Sequence, residues 1–125
     1  MNITIIIPTY NEAAQIGHLI HHLRAYTSAP ILVANSPNTA DNTAALALQA
    51  GAEVLHCPKG GRAPQMNYAA AQTKADILYF VHADTLPPSS FLKDIEQALK
   101  QGHDLGYFSY QFASEKPLLK FNSFF

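Results

Sequence analysis

Four short strand-like runs, each leading into a segment of different period, constrain this chain's fold more than any other feature. The first, Ile3 to Ile7, is rich in β-branched residues and stops at Pro8, as a strand buried on both faces would. Ile31 to Val33 and Ile77 to Val81 repeat the signal, and Glu53 to His56 reads as a third short strand ended by Pro58. Between them the spacing turns helical. Asn11 can cap a helix with Glu12 in its first turn, and Ile16, Leu19, Ile20 and Leu23 fall on one face. Asn35 to Asn42 reads as a loop, after which Asp41 or Thr43 can cap an Ala-rich helix running to about Ala50. Gly51 stands where the C-terminal cap of that helix is expected. A third helix is predicted from Pro64 to about Lys74, with Met66, Ala69 and Ala70 on one side. Pro87-Pro88-Ser89 starts a fourth that carries Phe91, Leu92, Ile95, Ala98 and Leu99 inward and ends at Gly102. Leu105 to Phe112 alternates as an antiparallel edge strand does.

Strands alternating with helices require right-handed crossovers, hence an α/β fold with a mostly parallel sheet covered on both faces. With 125 residues the chain has room for one domain, residues 1–125, and little more. Ligands on such sheets bind at the carboxyl ends of the strands. The loops after Ile7, Val33, His56 and Val81 are therefore where chemistry is expected.

Composition removes several classes. A formal net charge of −1 gives no electrostatic case for nucleic acid as a partner. The start, Met1-Asn2-Ile3-Thr4, has no basic region of a signal peptide, and no apolar run approaches the ~18 residues of a membrane span. Cys57 is the only cysteine, so no disulfide forms within the chain, and a reducing, cytoplasmic setting is the simpler expectation. Cys57 itself reads as packing before it reads as a nucleophile. A phosphoacceptor receiver domain of similar length would need clustered acidic residues after the first strand, where this chain has Pro8-Thr9-Tyr10. The apolar tail from Pro117 to Phe125 asks for a covering surface: its own core, a second copy of the chain, a peripheral membrane face or further chain.

Three of the loops carry suggestive residues. After the first strand, Tyr10 offers a flat ring to a base, and Asn11 and Glu12 offer acceptors, unless they only cap the helix. After the third strand, Lys59-Gly60-Gly61-Arg62 precedes a helix. Its glycines let backbone approach, the helix end adds positive potential, and Arg62 can clamp phosphate oxygens, although a solvated basic turn has the same composition. After the fourth strand, Asp84 stands at the mouth as a ligand for Mg²⁺ or Mn²⁺, with His82 as second ligand or orienter. Taken singly, Asp84 is also a good turn residue and His82 a structural one.

In order, Pro-Thr-Tyr-Asn-Glu-Ala (8–13), Gly-Arg-Ala-Pro-Gln-Met-Asn (61–67) and Phe-Val-His-Ala-Asp-Thr-x-x-Pro (80–88) each follow a predicted strand. Together they resemble family 2 glycosyltransferases of the GT-A fold, and within them a bacterial subgroup found beside radical-SAM or selenium-related proteins. The resemblance implies a Rossmann-like three-layer sandwich that binds a nucleotide diphosphate sugar. It places Pro8, Tyr10, Glu12, Asn35, Lys59, Arg62 and Asn67 at the nucleotide sugar, and Asp84 with His82 at the metal. The reaction it implies is transfer of the sugar, with inversion, to an acceptor the sequence does not name.

Two departures qualify it. Asp84 matches the last aspartate of the family's Asp-x-Asp motif, but His82 replaces the first. The loop after the second strand has Ala34 or Asn35 in place of a base-reading aspartate, with Asp41 and Thr43 matching the loop's end. The family's catalytic base lies beyond the metal motif. Asp104 and Glu115 are the late carboxylates here, and neither sits in a recognisable motif, so the catalytic residue is unassigned. A non-catalytic nucleotide-sugar-binding or assembly module is the alternative expectation.

Overall fold

The computed structural model describes residues 2–100, apart from the side chains of 98 and 99, and the backbone of 109–110 and 117–118. The chain divides into two compact units, Met1–Asp84 and Thr85–Phe125.

The first unit is a four-stranded parallel sheet. Its elements follow in the order β1 (Ile3–Thr9), α1 (Ile16–Arg24), β2 (Ile31–Asn35), α2 (Thr43–Gln49), β3 (Glu53–His56), α3 (Arg62–Ala71) and β4 (Ile77–Phe80). The strand order is β3-β2-β1-β4. The chain therefore steps outward from β1 through β2 to β3, then crosses back to the other side of β1. Registers are tight: Ile6 pairs with Leu32 on one side and Phe80 on the other, and Val33 pairs with Val54.

Alternation along the strands splits the core into two layers. Ile6, Leu32 and Ala34 face α3, where they form a buried cluster with Cys57 and Ala69, flanked by Leu55, Tyr68, Ala70, Leu78 and Phe80. Ile5, Ile7, Ile31 and Val33 point to the opposite face and are equally buried. Right-handed crossovers place α1 and α2, which touch each other, on that face. Ile16, Leu19, Ile20 and Leu23 of α1 are all fully buried, as their spacing predicts. Each such side chain contributes about 1.5–3 kcal/mol by leaving water. The α/β, mostly parallel, three-layer architecture expected from the strand–helix alternation is the one observed.

Three local expectations change. Strand β1 does not stop at Pro8 but continues to Thr9, with Pro8 paired to Ala34 of β2. In a parallel ladder a residue's N–H and C=O point to the same neighbour. Ile6 accepts from Val81 N–H on the β4 side, so Pro8, two residues on, turns its missing donor the same way, past the end of β4. Proline thus costs no ladder bond there.

The second change is at Asn11, which does not cap α1. It adopts φ 52°, and its Oδ1 accepts from the backbone amides of Ala40 (2.8 Å) and Asp41 (3.4 Å) instead. The first turn of α1 rests on the Glu12 carbonyl, which accepts from Gln15 and Ile16. Third, α3 starts earlier and ends earlier than predicted, at Arg62 and Ala71. At α2 the N-cap position is Asn42, one residue from either expected cap, and the Asp41 carboxylate accepts from the first helical amide, Thr43 N–H, at 3.0 Å. Gly51 follows α2 at φ +98°, the left-handed conformation expected of that cap.

In the second unit, α4 spans Phe91–Lys100, with Phe91 and Ile95 buried and the Ser90 hydroxyl donating to Asp94 at 3.3 Å. Of the predicted strand from Leu105 to Phe112, the described part is β5 (Ser109–Tyr110), paired antiparallel with β6 (Pro117–Leu118). Gly102, Asp104, Glu115 and the tail beyond Leu118 lie outside the described residues. Among the described residues no helix is long and apolar enough to cross a membrane.

Candidate active site

A sheet whose strand order reverses leaves a crevice where the connections diverge, outside the carboxyl ends of the two strands involved. Here that point lies between β1 and β4. A cleft of about 190 Å³ opens there, lined by Pro8, Thr9, Tyr10, Glu12, Arg62, Gln65, His82, Ala83 and Asp84. Three loops distant in sequence meet in it: the end of β1, the start of α3 and the segment after β4.

Tyr10 is 57% exposed, an aromatic ring presented to solvent at the rim. The loop carrying it is hydrogen-bonded to the β2–α2 loop. Glu12 N–H donates to Thr43 Oγ1 at 2.9 Å, and Thr43 in turn donates to the Asp41 carboxylate. Ala13 N–H donates to the other Asp41 oxygen at 3.1 Å. The Glu12 carboxylate accepts from the Gln15 side chain. The Thr43 hydroxyl, with the amides of Ala13 and Thr43, holds the Asp41 carboxyl below its ordinary pKa against a smaller opposing effect of desolvation.

Arg62 is the first residue of α3, following Gly61 at φ +122° and ψ 147°. That conformation is close to glycine-only, which explains a glycine immediately before the helix. Gln65, one turn in, is buried although polar. After β4, Ala83 is buried while His82 and Asp84 flank it on the exposed side. His82 keeps solvent contact, yet the cleft withdraws water from its ring and lowers its pKa. Arg62 lowers it further, and Asp84 pulls the other way. The imidazole is thus held neutral near pH 7, the form that can donate a lone pair to a metal.

Of the residues singled out from sequence, Pro8, Tyr10, Glu12, Arg62, His82 and Asp84 come together in this cleft. Asn35, Lys59 and Asn67 do not line it. Asn35 is buried at the end of β2, its Oδ1 accepting from the hydroxyls of Thr9 (2.8 Å) and Thr39 (2.9 Å). Lys59 and Asn67 are exposed, one in the β3–α3 loop and one on α3. Thr9, Gln65 and Ala83 line the cleft without having been singled out. Nothing in local spacing distinguishes Gln65 from a surface glutamine. Cys57 is buried, and burial pushes its thiol pKa up, as a packing residue requires and a nucleophile does not.

Among the described residues no three His, Cys, Asp or Glu side chains converge on a metal position. Asp84 offers a hard cation one carboxylate oxygen, so phosphate oxygens and water would have to supply most of its ligands, the His82 imidazole being a softer donor.

The chain is 30% identical over 105 residues to the RfbJ protein of Shigella flexneri, covering 83% of this chain and 81% of that one. Its fold is similar to that of glucosyl-3-phosphoglycerate synthase from Mycobacterium tuberculosis, solved with Mn²⁺, UDP and phosphoglyceric acid. There the TM-score is 0.72 at 22% identity, over 84% of this chain and 41% of the synthase. The same enzyme with Mg²⁺ and UDP superposes at a TM-score of 0.69. The chain thus spans about two-fifths of the length of these solved structures. The Glycosyl transferase family 2 model matches residues 4–122, and the chain belongs to that family.

Proposed function

We propose that the chain forms the donor-binding part of an inverting glycosyltransferase, taking a nucleotide diphosphate sugar together with Mg²⁺ or Mn²⁺. One observation carries the reading. At the switch point between β1 and β4, an exposed aromatic ring, a guanidinium at a helix N-terminus and a carboxylate–imidazole pair line one cleft. Each suits one part of such a donor. Tyr10 gives the base a face to stack on, Pro8 an apolar wall, and Glu12 an acceptor for ribose hydroxyls or base N–H groups. Arg62 holds diphosphate oxygens through two parallel N–H bonds, reinforced by the positive end of α3. Lys59 adds positive charge from the same loop, Asn35 backs the strand ends, and Asn67 lies one turn further along α3.

Asp84 and His82 would hold the divalent ion. When bound, such an ion neutralises charge on the departing nucleoside diphosphate. Arg62 supplies a permanent charge to the same end. The reaction is a displacement: the anomeric carbon–phosphate oxygen bond breaks as an acceptor hydroxyl oxygen bonds to that carbon from the opposite face. The hydroxyl proton passes to a general base, and no residue of this cleft is assigned that role. The Mn²⁺ and UDP held by the mycobacterial synthase support the donor and metal classes. The cleft is smaller than the roughly 300–1,000 Å³ usual for ligand sites, so a nucleotide sugar would fill it and extend past its rim. A single buried thiol suits a reducing, cytoplasmic setting.

Calorimetry with UDP-, GDP-, ADP- and dTDP-sugars, with and without Mn²⁺, tests the reading. Binding of one class, strengthened by Mn²⁺, is expected. A folded chain that binds none of them under either condition sinks it.

A further inference from the structure

Gln65 is 3% exposed, and its amide is committed to three bonds. Nε2 donates to the Thr9 carbonyl at 2.9 Å and to the Ala34 carbonyl at 2.8 Å. Oε1 accepts from Gly61 N–H at 2.9 Å. These partners fix the amide's orientation, since flipping it would set its oxygen against two carbonyls and its NH₂ against an N–H. One side chain therefore ties the ends of β1 and β2 to the start of α3.

The attachment points lead directly into the cleft. The Thr9 carbonyl belongs to the peptide that joins Thr9 to Tyr10, so anchoring it fixes the plane from which the Tyr10 ring departs. The Gly61 amide immediately precedes Arg62. Thr9 also accepts from Ser36 N–H at 2.9 Å, which holds that peptide from a second side. Two segments that approach the ligand from different strands are thereby held at one spacing by a buried strut.

We infer that Gln65 is a positioning residue, setting the separation of Tyr10 and Arg62 so that a nucleoside diphosphate spanning both binds better than its two halves. The inference rests on the donor-binding reading above. A ligand that touches one segment only is indifferent to their spacing. A ligand that touches both gains from linkage only when the spacing matches its own length.

The test uses Gln65→Met, which keeps length and approximate volume but forms none of the three bonds. Titrations use UDP, GDP and ADP, the matching nucleosides alone, and inorganic pyrophosphate alone, read by calorimetry and by NMR for the weak ligands. Affinity for the spanning diphosphate is expected to fall about tenfold, as lost preorganisation does. Nucleoside and pyrophosphate affinities should each change by less than about twofold, each needing one segment only. Equal losses for all three ligands, or no loss for the diphosphate, overturn the proposal.

If Gln65→Met does not fold, the wild-type chain decides. Saturation with nucleoside alone should slow hydrogen exchange of the Gly61 amide about fivefold, a modest coupling between sites. An unchanged Gly61 amide overturns the strut. A wild-type chain that binds no nucleoside diphosphate sinks the donor reading together with this inference. Binding that ignores Gln65 sinks this inference alone.

Discussion

Thr9 and Asn35 stand opposite each other at the ends of β1 and β2, and the Thr9 hydroxyl donates to Asn35 Oδ1 at 2.8 Å. Thr39 reaches the same oxygen from the following loop, at 2.9 Å. The polar end of β2 is thus spent on holding strand ends together. Asn35→Ala removes the shared acceptor from the buried Thr9 hydroxyl and the half-buried Thr39 hydroxyl. Urea unfolding should show a loss of about 1–3 kcal/mol, the cost of leaving buried polar groups unsatisfied. A change under about 0.5 kcal/mol, that of an ordinary surface substitution, would show that water replaces Asn35 there.

Asp84→Asn keeps the shape of the metal-side loop and removes its charge. The strengthening of nucleotide binding by Mn²⁺ should then fall at least about tenfold, as loss of a charged hard ligand implies. Binding measured in chelator should hardly move. If the Mn²⁺ dependence survives intact, Asp84 is a turn residue and the ion sits elsewhere.

Asp41 makes folding sensitive to acid. Its carboxyl is held below the ordinary value by Thr43, so the group adds stability wherever it is ionised in both the folded and unfolded chain. That contribution is lost as pH falls from about 4 through the lower folded value. The urea midpoint of Asp41→Asn should therefore drop less steeply than wild type below about pH 4. Parallel profiles for the two chains would refute the assignment.

Gly61→Ala places a Cβ at φ +122° and 3.3 Å from Pro64 Cδ. A loss of about 1–3 kcal/mol is expected from backbone strain of this kind. The loss should appear as a lower melting temperature even without ligand. Because Gly61 immediately precedes Arg62, diphosphate affinity should fall as well.

Cys57 should react slowly. Burial both shields the thiol and raises its pKa, so alkylation by iodoacetamide at pH 8 should run at least about tenfold slower in native than in urea-unfolded chain. Comparable rates would mean that β3 opens readily.

Where local sequence carries the information, the fold was readable. Ile16, Leu19, Ile20 and Leu23 declare a buried helical face by spacing alone, and the apolar runs of β1, β2 and β4 declare three of the four strands. The residues missed are those whose partners lie far along the chain. Asn11 has a good capping residue's chemistry, but its partners are Ala40 and Asp41, brought near only when β1 and β2 pair. Gln65 looks like a surface residue until the carbonyls of Thr9 and Ala34 arrive above it. Pro8 reads as a strand terminator because its missing donor is visible in sequence, whereas the early end of β4 that makes it harmless is not. Asn67 ends the 61–67 motif and Lys59 stands just before it, but chemistry and proximity along the chain do not say which side chains turn into the cleft.

The reversal of strand order between β1 and β4 also orders events in time. Ile3 meets Ile77 only after β2, β3 and the whole of α3 have been made, so the pairing that closes the cleft has the largest sequence separation in the sheet. Contacts of that kind are slow to form, because loop-closure entropy is lost before they return any stabilisation. During synthesis, Tyr10 emerges long before Asp84 and waits on a half-built edge. If the chain binds a nucleotide as proposed, that property would arise only once β4 has paired with β1, and a bound nucleotide would report that the fourth strand has docked.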